Sequence, residues 1–242
     1  MSRRRGKRLR QLRDELKRAY PEVGDPDEKI ASGLVTVDGC PVFNPRSMVR
    51  GGARIELVEP RRLRGEVKLE AALDSFGVDV RGRIALDVGA SAGGFTKALL
   101  LRGAKRVYAV DAGHGQLLGW LRQDPRVVNL ESTNVASLDT GLVPDEIELF
   151  TLDFSYLSLA EAVPQLEAVQ IAEAAELVAL VKPQFELRLS EPPVDARTRE
   201  EALSAAREAI RRARWSVDAW IESPVRGSGG ALEYFIYARR RS

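Results

Sequence analysis

Cysteine and histidine are almost missing from this chain of 242 residues: Cys40 is its only cysteine and His114 its only histidine. One of each excludes a disulfide framework, a Cys/His zinc site and a Cys–His catalytic pair. Any chemistry then falls to Lys, Asp, Glu, Ser or Tyr, with no metal expected. Long apolar runs are missing too: nothing approaches the roughly 18 uninterrupted apolar residues of a membrane-spanning helix. The arginine-rich start also lacks the apolar segment and cleavage site of a secretory signal. The expected setting is soluble and cytoplasmic, without a membrane partner; the sequence does not fix the oligomeric state. An apolar fraction of 44% suits a packed core. The length allows one domain of about 150 to 200 residues plus a small appended one.

The net charge of +2 conceals an uneven distribution. Residues 1–68 hold 17 Lys and Arg against 10 Asp and Glu, whereas residues 69–242 hold 20 against 25. The excess lies in "SRRRGKRLRQLRDELKRAY". It reads either as a solvated basic arm or as an electrostatic footprint for a polyanion such as RNA.

Residues 8–20 fit a helix with Leu9, Leu12 and Leu16 on one side. A short helix follows in "DPDEKIA", then strands at Val35 and Val37, an Asp38-Gly39 hairpin turn and a further strand in "ARIELVE". These make a small α+β module over residues 1–60, followed by a linker at 61–66 and a larger domain at 67–242. In the larger part, strands are expected near 83–87, 106–110, 126–130, 148–152, 176–181, 214–221 and 231–238. Helices are expected near 67–76, 93–102, 115–122, 158–169 and 197–213. Alternating strands and helices imply right-handed crossovers onto a mostly parallel sheet. The last two strands have no helix between them, which adds an antiparallel strand. Seven strands ending this way describe a Rossmann-like α/β fold of the class I methyltransferase type.

In such a sheet, ligands sit at the carboxyl ends of the strands. "ALDVGASAGGF" holds that position after the first strand. Its glycines, Gly89, Gly93 and Gly94, match neither the dinucleotide fingerprint nor a P-loop. Asp87 would repel a pyrophosphate but suits the ammonium group of S-adenosyl-L-methionine. With Ala90, Ser91 and Phe95 this is the expected cofactor-binding segment. Asp111, ending the next strand, is placed to accept from ribose hydroxyls, and Thr133 and Asn134 are candidates for the adenine edge.

Around this loop, "GASAGGFTKALLLRGAKRVYAVDAGHGQLLGWLRQDPRVVNLESTNV" resembles the TlyA or hemolysin A-like ribosomal RNA methyltransferases, a branch of the FtsJ-like 2′-O-ribose methyltransferases. "LDFSYLSL", "LVKPQFE" and "SPVRGSGGALEYF" are similar to that family's later motifs, in order. "KIASGLVTVDGCPVFNPRSMVRGGARIELV" is more faintly similar to its S-four type RNA-binding domain. The resemblance implies a Lys-Asp-Lys-Glu tetrad at Lys68, Asp153, Lys182 and Glu233, with ribosomal RNA or ribosomal subunits as partner. A non-catalytic RNA-binding protein retaining the fold is the competing reading, and a small-molecule methyltransferase a further one. The chain departs from the family at Glu66, at Ala92 and in arginines expected near Ser132 and Ala136.

A ribose 2′-hydroxyl holds its proton far above neutral pH, so the protein must align an in-line attack and remove that proton. The resemblance makes Lys182 the base, Asp153 its aligning partner, and Lys68 with Glu233 the groups that position the ribose. Two lysines in one site would favour the neutral amine by mutual repulsion. Phe95, Trp120, Trp215 and Trp220 fit core or half-buried positions better than base-stacking platforms. His114 reads as a neighbour of the cofactor pocket or a loop residue, not a catalyst, and Tyr156 and Phe185 as candidate substrate contacts.

Overall fold

The computed structural model describes residues 9–58 and 62–241. Most of the expected basic arm (residues 1–8), the end of the module with the first linker residue (59–61) and residue 242 lie outside the described residues. The chain divides into two compact units between Arg62 and Leu63.

In the first unit, helices Leu12–Ala19 and Pro26–Ala31 accompany a three-stranded antiparallel sheet in the order Cys40–Pro41, Val35–Val37, Ile55–Leu57. Asp25 caps the second helix by accepting from the amides of Asp27 and Glu28, with Pro26 at its first turn. The hairpin turn at Asp38 and Gly39 has both residues at positive φ, 51° and 81°, as a twist-matched two-residue turn requires. Leu12, Leu16, Val23, Ile30, Val35 and Val49 form the buried core. The first helix starts later than its leucine spacing indicates. Leu9 lies instead in a short strand, Leu9–Gln11, paired with Met48–Arg50, and is 53% exposed.

The second unit holds seven strands, numbered here from its start: β1 (Ile84–Val88), β2 (Arg106–Asp111), β3 (Val127–Glu131), β4 (Ile147–Leu152), β5 (Ile171–Val181), β6 (Trp215–Glu222) and β7 (Tyr234–Arg240). Their order is β6-β7-β5-β4-β1-β2-β3. The pairs from β5 to β3 are parallel, and β7 runs antiparallel to both β5 and β6. Helices are α1 (Arg64–Phe76), α2 (Gly94–Leu101), α3 (Gly119–Gln123), α4 (Leu159–Ala162), α5 (Pro183–Glu186) and α6 (Ala196–Arg212). Strands covered on both faces carry nearly continuous apolar residues. Alternation along β1 sends Ala85 to the core under α1 and α2, while Leu86 and Val88 join the core with α4 and α6. α6 contributes Ala202, Leu203, Ala206, Ala209 and Ile210, one stripe at helical spacing, and its first turn is capped by Asp195 on the Thr198 amide at 2.8 Å.

Several boundaries differ from expectation. α1 begins at Arg64, so part of the expected linker is helical, and it ends on Gly77 in the left-handed region at φ 67°. The helix expected over 158–169 is four α-helical residues followed by a 3₁₀ segment, Val163–Ala168, which begins at the turn carrying Pro164. β5 begins at Ile171, earlier than expected, because it pairs with Ile147 across an irregularity before regular pairing resumes at Glu176. No helix among the described residues is long and apolar enough to cross a membrane.

Candidate active site

The strand order reverses between β4 and β1, which opens a crevice at their carboxyl ends. The loop after β1 is drawn over this crevice by the backbone. The amides of Gly89 and Ala90 both donate to the Val110 carbonyl, at 2.8 and 3.0 Å, and the Asp153 amide donates to the Val88 carbonyl at 2.9 Å. Gly89 has φ 87°, and a Cβ there would lie 2.3 Å from the Asp153 carbonyl oxygen. Only glycine lets the ends of β1 and β4 approach this closely. The other two glycines act differently from expectation. A Cβ on Gly93 would strike Leu121 at 2.1 Å, and one on Gly94 would come within 2.9 Å of the Gly65 Cα. Both serve the packing of helices around the loop.

A cavity of about 460 Å³ opens beneath the loop. Of the residues expected at the cofactor, Gly89, Ser91, Asp111 and Thr133 line it, whereas Asp87, Ala90, Gly93, Gly94, Phe95 and Asn134 do not. Asn134 instead caps a 3₁₀ turn by accepting from the Ala136 amide at 3.0 Å. Phe95 packs in the core, 3% exposed. Asp111 accepts from the amides of Ser91 at 2.8 Å and Gly113 at 2.7 Å, tying two walls together. Each carboxylate oxygen keeps capacity for a further donor. Gly113, Gln116, Phe154, Ser155 and Tyr156 complete much of the wall. Their signal in the sequence was position alone, in the segments directly after the acids that end β2 and follow β4. Tyr156 is 53% exposed and stands edge-on to Phe154. Among the described residues, the cavity lining includes two acids, Asp111 and Asp153, and no lysine or arginine. This donor set fits a cationic nucleoside such as S-adenosylmethionine and disfavours a phosphate.

Glu131, at the end of β3, shapes the same wall. It is desolvated, yet the amides of Leu117 and Gln116, the Asn129 amide group and Arg122 hold its carboxyl down at about 2. His114 is near this wall but outside the lining, its Nδ1 3.3 Å from the Ser132 hydroxyl.

Asp87 departs most from the expectation that it meets the ligand's ammonium. Its side chain is fully buried on the α2 side of the sheet, accepting from the hydroxyls of Thr96 at 2.6 Å and Thr151 at 3.0 Å. Burial pushes its carboxyl up to about 7, against those two hydroxyls and with help from the Asp153 charge. A carboxyl raised on folding stabilises the fold below its unfolded value, and that contribution is lost as pH rises through the folded value. Over roughly pH 4 to 7, then, Asp87 makes the wild type progressively less stable. Asp87→Asn is expected to shrink the fall in melting midpoint between pH 5 and pH 8 by about 3 °C or more. Parallel pH profiles for the two proteins in thermal unfolding would contradict this.

The tetrad residues assemble as two ion pairs. Lys68 on α1 meets Glu233, just before β7, at 2.5 Å, with both side chains almost wholly buried. The loop joining β6 to β7 closes on this pair, since a Cβ on Gly227 would lie 2.0 Å from Glu233 Oε1. Arg64 holds that loop by donating to the carbonyls of Arg226 at 2.5 Å and Gly227 at 3.1 Å. Lys182, which follows β5, lies 2.6 Å from Asp153, which follows β4. Each lysine thus has a carboxylate partner. In the antiparallel register Val181 faces Tyr234, so Lys182 and Glu233 leave the sheet at the same edge.

Glu186, in the turn after Lys182, adds a link that the sequence did not reveal. Its carboxylate accepts from the Leu159 amide at 3.0 Å, fastening the β5 loop to the β4 loop, and burial raises it to about 7. Among the aromatics, Trp215 is buried and Trp120 partly so, while Trp220 is 43% exposed and packs edge-on against Tyr234.

Comparison with known proteins gives the family. The FtsJ-like methyltransferase family model matches residues 61–240. A 16S/23S rRNA (cytidine-2′-O)-methyltransferase TlyA of Mycobacterium tuberculosis is 38% identical over 228 residues, covering 89% of this chain and 83% of that protein. Hemolysin A of Brachyspira hyodysenteriae is 34% identical, covering 86% of this chain and 90% of its own length. A solved structure of a candidate hemolysin from Streptococcus thermophilus superposes with a TM-score of 0.71 at 28% identity, covering 98% of this chain and 90% of that one. With that match over most of its length and a site built at the carboxyl ends of β1, β2, β4 and β5, the chain belongs to the FtsJ-like methyltransferase family.

Proposed function

We propose that this protein transfers a methyl group from S-adenosylmethionine to the 2′-hydroxyl of a ribosomal RNA ribose, in the cytoplasm. The observation that carries this reading is the Lys182–Asp153 pair, 2.6 Å apart, with Asp153 itself in the wall of the acidic cavity. Asp111 would take the ribose hydroxyls of the donor, and Thr133 lies along the same wall. The acidic lining favours a positively charged ligand by simple attraction in a partly desolvated site. When bound, S-adenosylmethionine supplies a methyl group on a sulfonium, whose C–S electron pair remains on sulfur as the neutral thioether leaves.

This chain must then hold the acceptor oxygen in line and take its proton. As the oxygen's electron pair forms the new bond to carbon, the 2′-proton passes to Lys182 Nζ. Asp153 stabilises the ammonium that results. Lys68 and Glu233 hold one another at the sheet edge level with Lys182, and would brace the edge against which a ribose is set. The basic N-terminal module would supply the RNA grip, a role that predicts steep weakening of binding with salt.

The direct test incubates the protein and methyl-labelled donor with ribosomal subunits lacking the modification, followed by mapping of 2′-O-methylated nucleotides. Label is expected at discrete ribose positions. An absence of label in the RNA of both subunits would remove the ribosomal reading and favour an RNA-binding protein without methyl transfer.

A further inference from the structure

We infer that Ser155 is a positioning residue that aims the Lys182 amine at the acceptor hydroxyl; this deepens the methyl-transfer reading above and rests on it. The argument begins with the contacts around Lys182 Nζ. Asp153 Oδ1 lies 2.6 Å away, yet that buried oxygen accepts no well-directed hydrogen bond, so Asp153 draws an N–H toward it chiefly by charge. The directed bond goes to Ser155, whose Oγ accepts from Nζ at 3.0 Å. The Phe185 ring bounds another side, its centroid 6.0 Å from Nζ.

A neutral amine has two N–H bonds and one lone pair in fixed tetrahedral relation. Rotation about the Cε–Nζ bond sweeps that lone pair around a cone, and proton transfer needs it on the line to the substrate oxygen. A hydrogen bond to Ser155 picks one rotation. With the second N–H turned toward the Asp153 charge, the lone pair takes the remaining direction. Ser155 also lines the cofactor cavity and is exposed, so the lysine is held from the side of that cavity. The local sequence fits this role. Ser155 follows Asp153 by two residues in a loop that the Glu186 carboxylate anchors at the Leu159 amide, so its hydroxyl belongs to a braced segment.

The test compares Ser155→Thr, which keeps the hydroxyl, with Ser155→Val, which has the same shape without it, and with Ser155→Ala. In steady-state methylation of ribosomal subunits, Val and Ala are expected to lower kcat about tenfold or more. Thr is expected to stay within about threefold, and in Val and Ala donor affinity by calorimetry is expected to fall by much less than kcat does. A structural role would affect Thr and Val alike, so equal kcat values for that pair would overturn the proposal. A loss of donor affinity as large as the loss of rate would overturn it as well.

A second measurement is independent of the RNA substrate: acylation of Lys182 by a small amine-reactive ester, quantified by mass spectrometry. Labelling is expected to rise several-fold in Val and Ala but not in Thr, because the tether is gone. Unchanged labelling would refute the tether even if no ribosomal RNA is methylated, an outcome that would count separately against the substrate assignment.

Discussion

Lys182→Ala is expected to reduce methyl transfer by at least about a thousandfold while donor affinity stays within about threefold of wild type. The size follows from the chemistry. A ribose hydroxyl stays protonated near neutral pH, and the described lining of the cavity includes no histidine to take over as base. Asp153 remains in Lys182→Ala, but its carboxylate is too weak a base to replace an amine. Donor binding survives because Lys182 is not part of the cavity lining, whose polar groups are Asp111, Ser91, Thr133 and their neighbours. Lys182→Arg is expected to be nearly as inactive, since a guanidinium keeps its charge and cannot accept a proton. Single-turnover methylation and calorimetry on the same preparations check both halves. Turnover within tenfold of wild type in Lys182→Ala would show that another group takes the proton.

The largest effect on stability is expected at Lys68 and Glu233. Their 2.5 Å contact joins side chains that are 8% and 3% exposed, so water can solvate neither charge once its partner is removed. Breaking such a pair costs about 3 to 5 kcal/mol, because the remaining charge is buried uncompensated. Lys68→Met and Glu233→Leu should therefore each lower the melting midpoint by about 10 °C. The double variant Lys68→Met/Glu233→Leu is expected to recover most of that stability, since apolar groups of similar volume avoid the desolvation of both ions. Its methyl transfer should nonetheless remain low, which separates the scaffold role from the ribose-positioning role. Single variants as stable as wild type in thermal and urea unfolding would mean that the pair carries no such penalty.

Much of the fold was legible because a parallel sheet flanked by helices writes itself in short apolar runs between amphipathic segments. The antiparallel ending was legible too, since no helical pattern separates Glu222 from Tyr234. Positions along single segments were harder to read. Leu9 fits a helical stripe by spacing, yet its backbone pairs with Arg50, a contact 41 residues away that local spacing cannot report. Asp87 shows the same limit at the site. An acid ending a strand beside a glycine loop looks like a ligand contact, but the alternation of β1 turns it toward α2, where Thr96 and Thr151 satisfy it. Nothing in one segment announces that a threonine from β4 will arrive there. The four expected tetrad positions were named by motif, whereas their division into two ion pairs depends on α1 bringing Lys68 to Glu233 and on β4 lying next to β5. The wall built by Gly113, Gln116 and Glu131 was missed for a similar reason, being defined by backbone amides whose identity no side chain encodes.

The strand order also carries a consequence for how the molecule comes into being. β7 is the last strand in the chain but lies inside the sheet, between β5 and β6. The donor cavity draws on residues 88 to 156, while Lys182 and Glu233 come later in the chain. A chain emerging from its own ribosome therefore exposes every segment that lines the cavity before it has either the proposed base, Lys182, or Glu233, the partner of Lys68. The sheet's order is therefore complete only once the chain's final strand has been laid between β5 and β6.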